Sequence, residues 1–540
     1  MKLVSVKEMK SIEKEADSKG LTFDQMMENA GQGLAEVIND LFIEESEPEV
    51  FGLVGPGNNG GDTLIALTRL VTDGWFVRVY LVVRKKDSLV EYFEKVGGEI
   101  VFADEDRELL SLNSFLQTAA IVLDGLLGTG IKLPLKEDFA KILSEGNSII
   151  DNIEVRPFVI AVDCPSGMDC DTGETAAECI PADLTVTMAT VKQGQLKMPA
   201  YALIGELQVV DIGLPDYLNS LDAVKIDVAE ENKIAAILPV RGAEAHKGTF
   251  GTALIVAGSV NYTGAALLTG QAAYRIGAGL VTLAVPSLIH GMLAGQLAEA
   301  TWILLPHEVG VISVNAAEVL KKNMERASAI LIGPGLGMEE TTKDFIQSMF
   351  TEKPVRENSS SRIGFLQSEN KKKQEKNNIL PPAVIDADGL KLLASIEKWH
   401  KILPPSSILT PHPGEMSVLT GLSIEEIQKD RQTIAGKFAK EWGHVVVLKG
   451  AFTVIASPDG RIMVIPVASA ALARAGTGDV LAGLIVGLRA QGVEAFEAAV
   501  AGAWIHAEAG LYAASKLGTN TSVLAGDVLN SVSSVLADLS

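Results

Sequence analysis

Cysteine, surplus positive charge and long apolar runs are what this chain has little of. Cys164, Cys170 and Cys179 are the only cysteines in 540 residues. Their odd number, with no secretory leader ahead of them, argues against a disulfide framework and for reduced thiols in a cytoplasmic protein. No histidine lies near them and their spacing does not suit zinc. Lysine and arginine number 46 against 68 aspartates and glutamates, a formal net charge of −22. Such acidic bulk disfavours nonspecific contact with nucleic acid or anionic membranes. An anionic ligand would have to be met by local positive groups. The start, Met1 to Lys7, has no long apolar region, and even Gly277 to Pro286 is too short to cross a bilayer.

What is present is a globular composition, 47% hydrophobic and 21% charged, at a length that demands two or more domains. The 51 glycines cluster at the ends of apolar runs, as in α/β folds that bind ligands in loops after strands. Val50–Val54, Val77–Val83, Ile121–Leu123 and Val159–Val162 read as strands, with a helix over Leu64–Val71. This alternation predicts a mostly parallel sheet with helices on both faces. It weakens near 215–231 and restarts with strands at Thr252–Gly258, Ala329–Gly333, Ala383–Asp386 and Val445–Lys449. Domains are therefore expected over 1–220 and 228–540. Residues 352–380, with Ser359–Ser361 and Lys371–Lys373, break the pattern and read as a solvated insertion. No aromatic residues interleave those lysines, which argues against a nucleic-acid patch.

Two glycine-rich turns carry the chemistry. Ala475-Gly476-Thr477-Gly478-Asp479 runs into an apolar helix. Backbone N–H groups there can hold an anion, the helix start adds partial positive charge, and Asp479 can take a proton from a hydroxyl. A simple N-cap is the plainer reading of this turn. Gly55-Pro56-Gly57-Asn58-Asn59-Gly60-Gly61-Asp62 lies between a strand and a helix and satisfies G-x-G-x-x-G. The acidic ribose-binding residue of a dehydrogenase is replaced by Arg84-Lys85-Lys86, which disfavours that activity. The loop's asparagines and aspartate offer oxygen ligands for a cation and donors for a polar ligand. Asp124–Gly130 and Asp163–Asp169 end strands at the same presumed sheet edge, so the three loops form one expected site, with loop capping as the alternative for Asp124 and Asp163.

The order Leu21–Gly31, G-x-G-N-N-G-G-D, Asp-x-Leu-Leu-Gly-Thr-Gly and Val-Asp-x-Pro-Ser-Gly-Met-Asp resembles the NAD(P)H-hydrate epimerases over about residues 1–215. The resemblance implies a Rossmann-like three-layer fold and bound potassium (K+) on Asn59, Asp124 and Ser166. It places the hydrated nucleotide (NADHX or NADPHX) on Asn58, Gly60, Gly61, Asp62, Gly128, Thr129, Gly130 and Asp163, with Asp163 as acid/base. Lys192 lies in a segment also similar to the family. The sequence departs at Thr63, where the family has glycine; a β-branched residue there is expected to crowd the ligand or forbid a positive φ.

His246–Gly251, Gly258-Ser259, Tyr262–Ala265, Arg275–Val281, Gly333–Gly337, Asp386-Ala387-Asp388, Thr410–Glu415 and Leu448-Lys449-Gly450 resemble the ADP-dependent NAD(P)H-hydrate dehydratases, over nearly all of 235–540. This implies a ribokinase-like α/β fold that uses ADP with magnesium (Mg2+). Lys449, Gly450, Ala451, Phe452, Thr453 and Gly478 would contact the adenine nucleotide. Ala265, Gly335, Gly337, His412 and Asp479 would face the hydrated nicotinamide, with Asp479 as base. Ala475 stands where the family has glycine, so its Cβ must be tolerated. The implied protein is a bifunctional repair enzyme, a homo-oligomer acting on small molecules, with no nucleic-acid or membrane partner. A ribokinase-type small-molecule kinase fused to a non-catalytic nucleotide-binding domain is the competing reading.

Overall fold

Alternation along the apolar strands of the first half sends side chains to two faces. Val50 and Val54 join one buried cluster with Ile121, Leu123, Ile160 and Val162, while Phe51 and Leu53 join another with Val122, Val159 and Ala161. A sheet covered on both sides follows. The computed structural model describes residues 1–43, 48–350 and 380–540. Positions 352–379 of the expected insertion lie outside the described residues. The chain divides into two units, Met1–Val228 and Ala229–Ser540.

In the first unit the main sheet contains β1 (Glu49–Val54), β2 (Phe76–Leu81), β3 (Glu99–Phe102), β4 (Ile121–Gly125), β5 (Phe158–Val162), β6 (Leu184–Met188) and β7 (Glu206–Val210). Their order is β3-β2-β1-β4-β5-β6-β7, and every pairing is parallel. Strand order reverses at β1 and β4, so a crevice opens beyond their carboxyl ends. Helix α1 (Phe23–Leu41) starts with a Thr22–Gln25 capping box. Helix α2 (Asn58–Thr72) follows β1 directly. Gly52 lets Leu67 of α2 press onto β1: a Cβ there would sit 2.4 Å from Leu67 Cδ1.

In the second unit β8 (Thr252–Val256), β9 (Leu280–Pro286), β10 (Thr301–Leu305), β11 (Ala329–Ile332), β12 (Ala383–Ile385), β13 (Ile408–Leu409), β14 (Val445–Leu448), β15 (Val454–Ala456) and β16 (Ile462–Val464) run in the order β16-β15-β14-β13-β12-β11-β8-β9-β10. Pairings from β14 through β10 are parallel. β15 and β16 are antiparallel additions. Helices α3 (Thr263–Arg275), α4 (Asp388–Ala394), α5 (Pro413–Thr420), α6 (Thr477–Ala490) and α7 (Ala495–Leu517) surround it. α6 and most of α7 up to Ala513 are apolar and buried. Gly483 and Gly487 let α3 approach closely; a Cβ on Gly483 would lie 2.5 Å from Thr269 O.

Candidate active sites

In the first unit, close packing dictates the glycine loop. A Cβ on Gly55 would lie 1.8 Å from Leu126 O, and one on Gly60 would lie 2.1 Å from Gly55 O. Gly61 backs onto Met27, whose sulfur would be 2.6 Å from an added Cβ. Gly60 and Gly61 thus shape the first turn of α2. Gly57, the middle glycine of the fingerprint, meets nothing within 4 Å and caps α2 by its backbone alone. Arg84 steadies the loop by donating to Gly55 O at 3.0 Å.

Asn59, Asp124 and Ser166 come together behind this loop. Asp124 ends β4, fully buried. Its Oδ2 accepts from Ser166 N at 2.7 Å and its Oδ1 from Ser166 Oγ at 2.5 Å. Burial pushes the Asp124 carboxyl up, against the hydrogen bonds from Ser166. Leu127 N donates to Ser166 Oγ at 2.8 Å, and Asn59 Nδ2 donates to Leu127 O at 3.0 Å. Asn59 Oδ1 is buried with no hydrogen-bond partner. An orphaned amide oxygen beside a carboxylate, a hydroxyl and a carbonyl is a hard oxygen set that suits an alkali cation. The Leu127 carbonyl carries no sequence signal.

A cavity of about 820 Å³ opens beside it. Gly128, Thr129 and Gly130 line it together with Asn58, Asn59, Asp62, Asp163 and Lys192. Asp163 leaves β5 with φ +62°, a left-handed conformation costly for a non-glycine residue and common at functional sites. Its Oδ1 accepts from Thr187 Oγ1 at 3.0 Å, Met188 N at 3.1 Å and Lys192 Nζ. Lys192 is 1% exposed. Its ammonium also donates to Thr187 Oγ1 and Met188 O, each at 2.8 Å, so all three of its N–H groups are used. Burial, then Asp163 and Glu13, push Asp62 well above the usual carboxylate range. Glu13, from the helix Val6–Ser18, also lines this cavity. Sequence reading missed it because it lies in an ordinary amphipathic helix.

Thr63 does not play the part expected of it. It is helical and fully buried, and its Oγ1 donates to Asn59 O at 2.7 Å. It packs on Gly125, where an added Cβ would fall 1.9 Å from Thr63 Oγ1. Thr63 is not part of the cavity wall, so it neither crowds a ligand there nor strains the backbone.

In the second unit Gly476, with φ +90°, caps α6. Ala475 is exposed and has no left-handed φ, so its Cβ is accommodated. Asp479 sits in the first turn of α6. Burial, then the charge of Asp386, push its carboxyl up to about 7, with Lys449 opposing. Lys449 Nζ lies 2.7 Å from Asp386 Oδ1 and 3.7 Å from Glu415 Oε2. Burial pulls Lys449 down, but Asp386 and Glu415 outweigh it and hold it raised. A Cβ on Gly478 would be 3.7 Å from Lys449 Nζ, so the lysine stands beside the glycine turn.

His412 is the N-cap of α5. Its Nδ1 accepts from Gly414 N at 2.9 Å and Glu415 N at 3.3 Å. Burial lowers it, with Lys449 adding to the effect and Glu415 opposing. The accepting Nδ1 assigns the proton of the neutral ring to Nε2. Gly337 N donates to Asp388 Oδ2 at 3.0 Å. Gly335, at φ +63°, packs on Ala265, 2.8 Å from an added Cβ. In the 449–453 segment Gly450 (φ +146°) and Phe452 (φ +53°) are left-handed, and Thr453 Oγ1 donates to Gly450 O at 2.9 Å. Ala451 is exposed. Asp386, Thr410 and Glu415 were legible only as motif letters; the structure makes them the setting of Lys449, with Thr410 Oγ1 donating to Asp386 Oδ1 at 2.7 Å. His246 and Lys247 are exposed, and His246 Nδ1 accepts from Gly248 N in a turn.

A protein-family model described as NAD(P)H-hydrate dehydratase matches residues 253–356 and 363–532. Another, described as YjeF-related protein N-terminus, matches residues 23–194. The bifunctional NAD(P)H-hydrate repair enzyme Nnr of Moorella thermoacetica is 35% identical over 548 residues, covering 100% of this chain and 97% of the relative. This chain belongs to the bifunctional NAD(P)H-hydrate repair enzyme family. The Escherichia coli (strain K12) member is 31% identical over 523 residues, with 96% and 91% covered. A Bacillus subtilis ADP/ATP-dependent NAD(P)H-hydrate dehydratase, co-crystallised with ATP and Mg2+, is 30% identical and covers 59% of this chain and 100% of its own, with a TM-score of 0.47. Family members matching both halves over nearly full length disfavour the competing kinase reading.

Proposed function

We propose that the first unit interconverts the R and S epimers of hydrated NADH and NADPH, and that the second unit dehydrates the S epimer with ADP, giving AMP and phosphate. The observation that carries this reading is Asp479, poised near neutrality at a helix N-terminus beside Lys449. Hydroxide leaves carbon poorly; phosphate leaves well. Asp479 takes the proton of the C6 hydroxyl as its oxygen attacks the β-phosphorus of ADP, and AMP departs. The ring nitrogen then expels phosphate from C6, and loss of a proton from C5 restores the ring. Lys449 and the N–H groups of the Gly476–Gly478 turn hold the phosphoryl charge.

Among the described residues no group of three or more histidines, cysteines, aspartates and glutamates could hold a metal. Magnesium would arrive with the nucleotide's own phosphates, whose charge it would neutralise. Asn59 Oδ1, Asp124, Ser166 and Leu127 O fit potassium, which would supply positive charge behind the cavity. The test of the dehydratase half is stoichiometry. One AMP and one phosphate should form per reduced nucleotide regained. A stable phosphorylated product with no phosphate released would restore the kinase reading.

A further inference from the structure

The first unit's cavity needs an acid as well as a base, because epimerisation at C6 expels one water and admits another. Asp163 and Lys192 cannot both serve. The three donors on Asp163 Oδ1 leave only its Oδ2 to take a proton, so it serves as one partner of the pair, and Lys192 has spent its N–H groups. Two other carboxyl groups, Asp62 on α2 and Glu13 on the helix Val6–Ser18, line the same cavity. Glu13 lies ahead of the segment matched by the family model, which begins at residue 23. That the cavity takes a ligand has separate support in Asn59, which is 7% exposed, lines it, and has an unpartnered Oδ1.

We propose that Asp62 is the general acid of this cavity, with Glu13 as the positioning carboxylate that keeps the proton on it. The proposal rests on the epimerase reading above. For the epimer whose hydroxyl faces Asp62, the carboxyl proton passes to the C6 oxygen. The C6–O bond breaks, water leaves, and the ring nitrogen supplies the electron pair for a C=N⁺ bond. Water then adds to the opposite face of C6 and gives a proton to the Asp163 carboxylate. Asp62 ends ionised and Asp163 protonated, and exchange with solvent resets both. In the reverse direction the two roles swap. Two carboxyl groups with different surroundings thereby take different roles. The protonated state of Asp62 is supported by its burial and by the like charges of Asp163 and Glu13, with Lys192 opposing. Burial also raises Glu13, with Lys192 and Lys10 opposing and Asp163 adding. Lys132, Lys136 and Asp138 complete the charged groups around the cavity.

The test is the pH profile of epimerisation in the full-length chain, with each epimer separated by chromatography and Glu13→Gln, Glu13→Asp and Asp62→Asn compared with wild type. Activity should fall on the alkaline side as Asp62 ionises. Glu13→Gln removes a neighbouring negative charge, so that fall should move to lower pH by about one unit. Glu13→Asp should restore it toward the wild-type position, and Asp62→Asn should lose about a hundredfold or more in kcat. An alkaline limb in Glu13→Gln unmoved from wild type, or an Asp62→Asn enzyme near wild-type kcat, overturns the proposal. If Glu13→Gln fails to fold, the infrared difference spectrum of wild type minus Asp62→Asn at neutral pH decides. A protonated-carboxyl band in that difference supports the proposal, and its absence overturns it. Failure of the wild-type chain to speed interconversion, with dehydration of the S epimer intact, would instead overturn the epimerase reading.

Discussion

A single carboxyl, Asp479, bears most of the weight of the dehydratase account. Asp479→Asn keeps shape and removes the base, so dehydration should fall about a hundredfold or more with ADP affinity little changed. Steady-state rates and calorimetric ADP titration check this. The wild-type pH profile carries a matching signature. Burial and Asp386 push the carboxyl up to about 7, and a base acts only when ionised. The kcat/KM for dehydration should therefore climb with pH through about 7 and level off above it. Asp124 makes a parallel case in the first unit. Asp124→Ala removes the carboxylate that accepts from Ser166 N and Oγ, leaving the buried N–H without that acceptor. It should cost about 1–3 kcal/mol of stability and abolish any difference in epimerisation between potassium and sodium buffers. Thermal unfolding and rates in the two salts read this out. Asp479 was legible in the sequence because its chemistry is local, three residues from the glycine that caps its helix. Lys449 was legible as a cation, but its partner Asp386 lies 63 residues away and meets it only because β12, β13 and β14 are neighbours.

At the scale of elements, the two glycine turns show what a motif does and does not disclose. Gly55 and Gly60 are needed because backbone passes where a Cβ would be, whereas Gly57 meets no neighbour. The sequence pattern gives all three equal standing. Thr63 was misread for the same reason. A helix presents its residues to different sides, and 63 faces Gly125 on the sheet while 62 faces the cavity. Gly476 is the position where the second turn demands glycine, since a Cβ would lie 2.9 Å from Leu268 Cδ1 and 3.0 Å from Ala525 Cβ at φ +90°. Gly476→Ala should therefore lower stability by about 1–3 kcal/mol and raise KM for ADP, while leaving epimerisation unchanged. Denaturation of the full chain and parallel assays of both activities measure this. Strands β1, β2, β5 and β8 were readable as apolar runs, whereas β6 (Leu184–Met188) and β9 (Leu280–Pro286) went unread. The two-residue strand β13 was not readable, because Ile408 and Leu409 are too short a run to display a period.

At the scale of the whole molecule, the chain divides after Val228. The parallel strands β1–β7 lie in one unit and β8–β14 in the other, and each unit has its own apolar clusters. Residues 1–228 and 229–540, expressed separately, should each fold and unfold cooperatively, as circular dichroism during heating would show. Two chemistries on one substrate are joined in this chain. The return of reduced-nicotinamide absorbance, when the full chain is mixed with each epimer of hydrated NADPH with and without ADP, reads both at once. Prompt recovery from the S epimer is expected only when ADP is present. Recovery from the R epimer should also need ADP, pass through the S form, and outpace uncatalysed epimerisation. Recovery from either epimer without a nucleotide, or an R epimer consumed no faster than it epimerises on its own, would refute the pairing of the two activities.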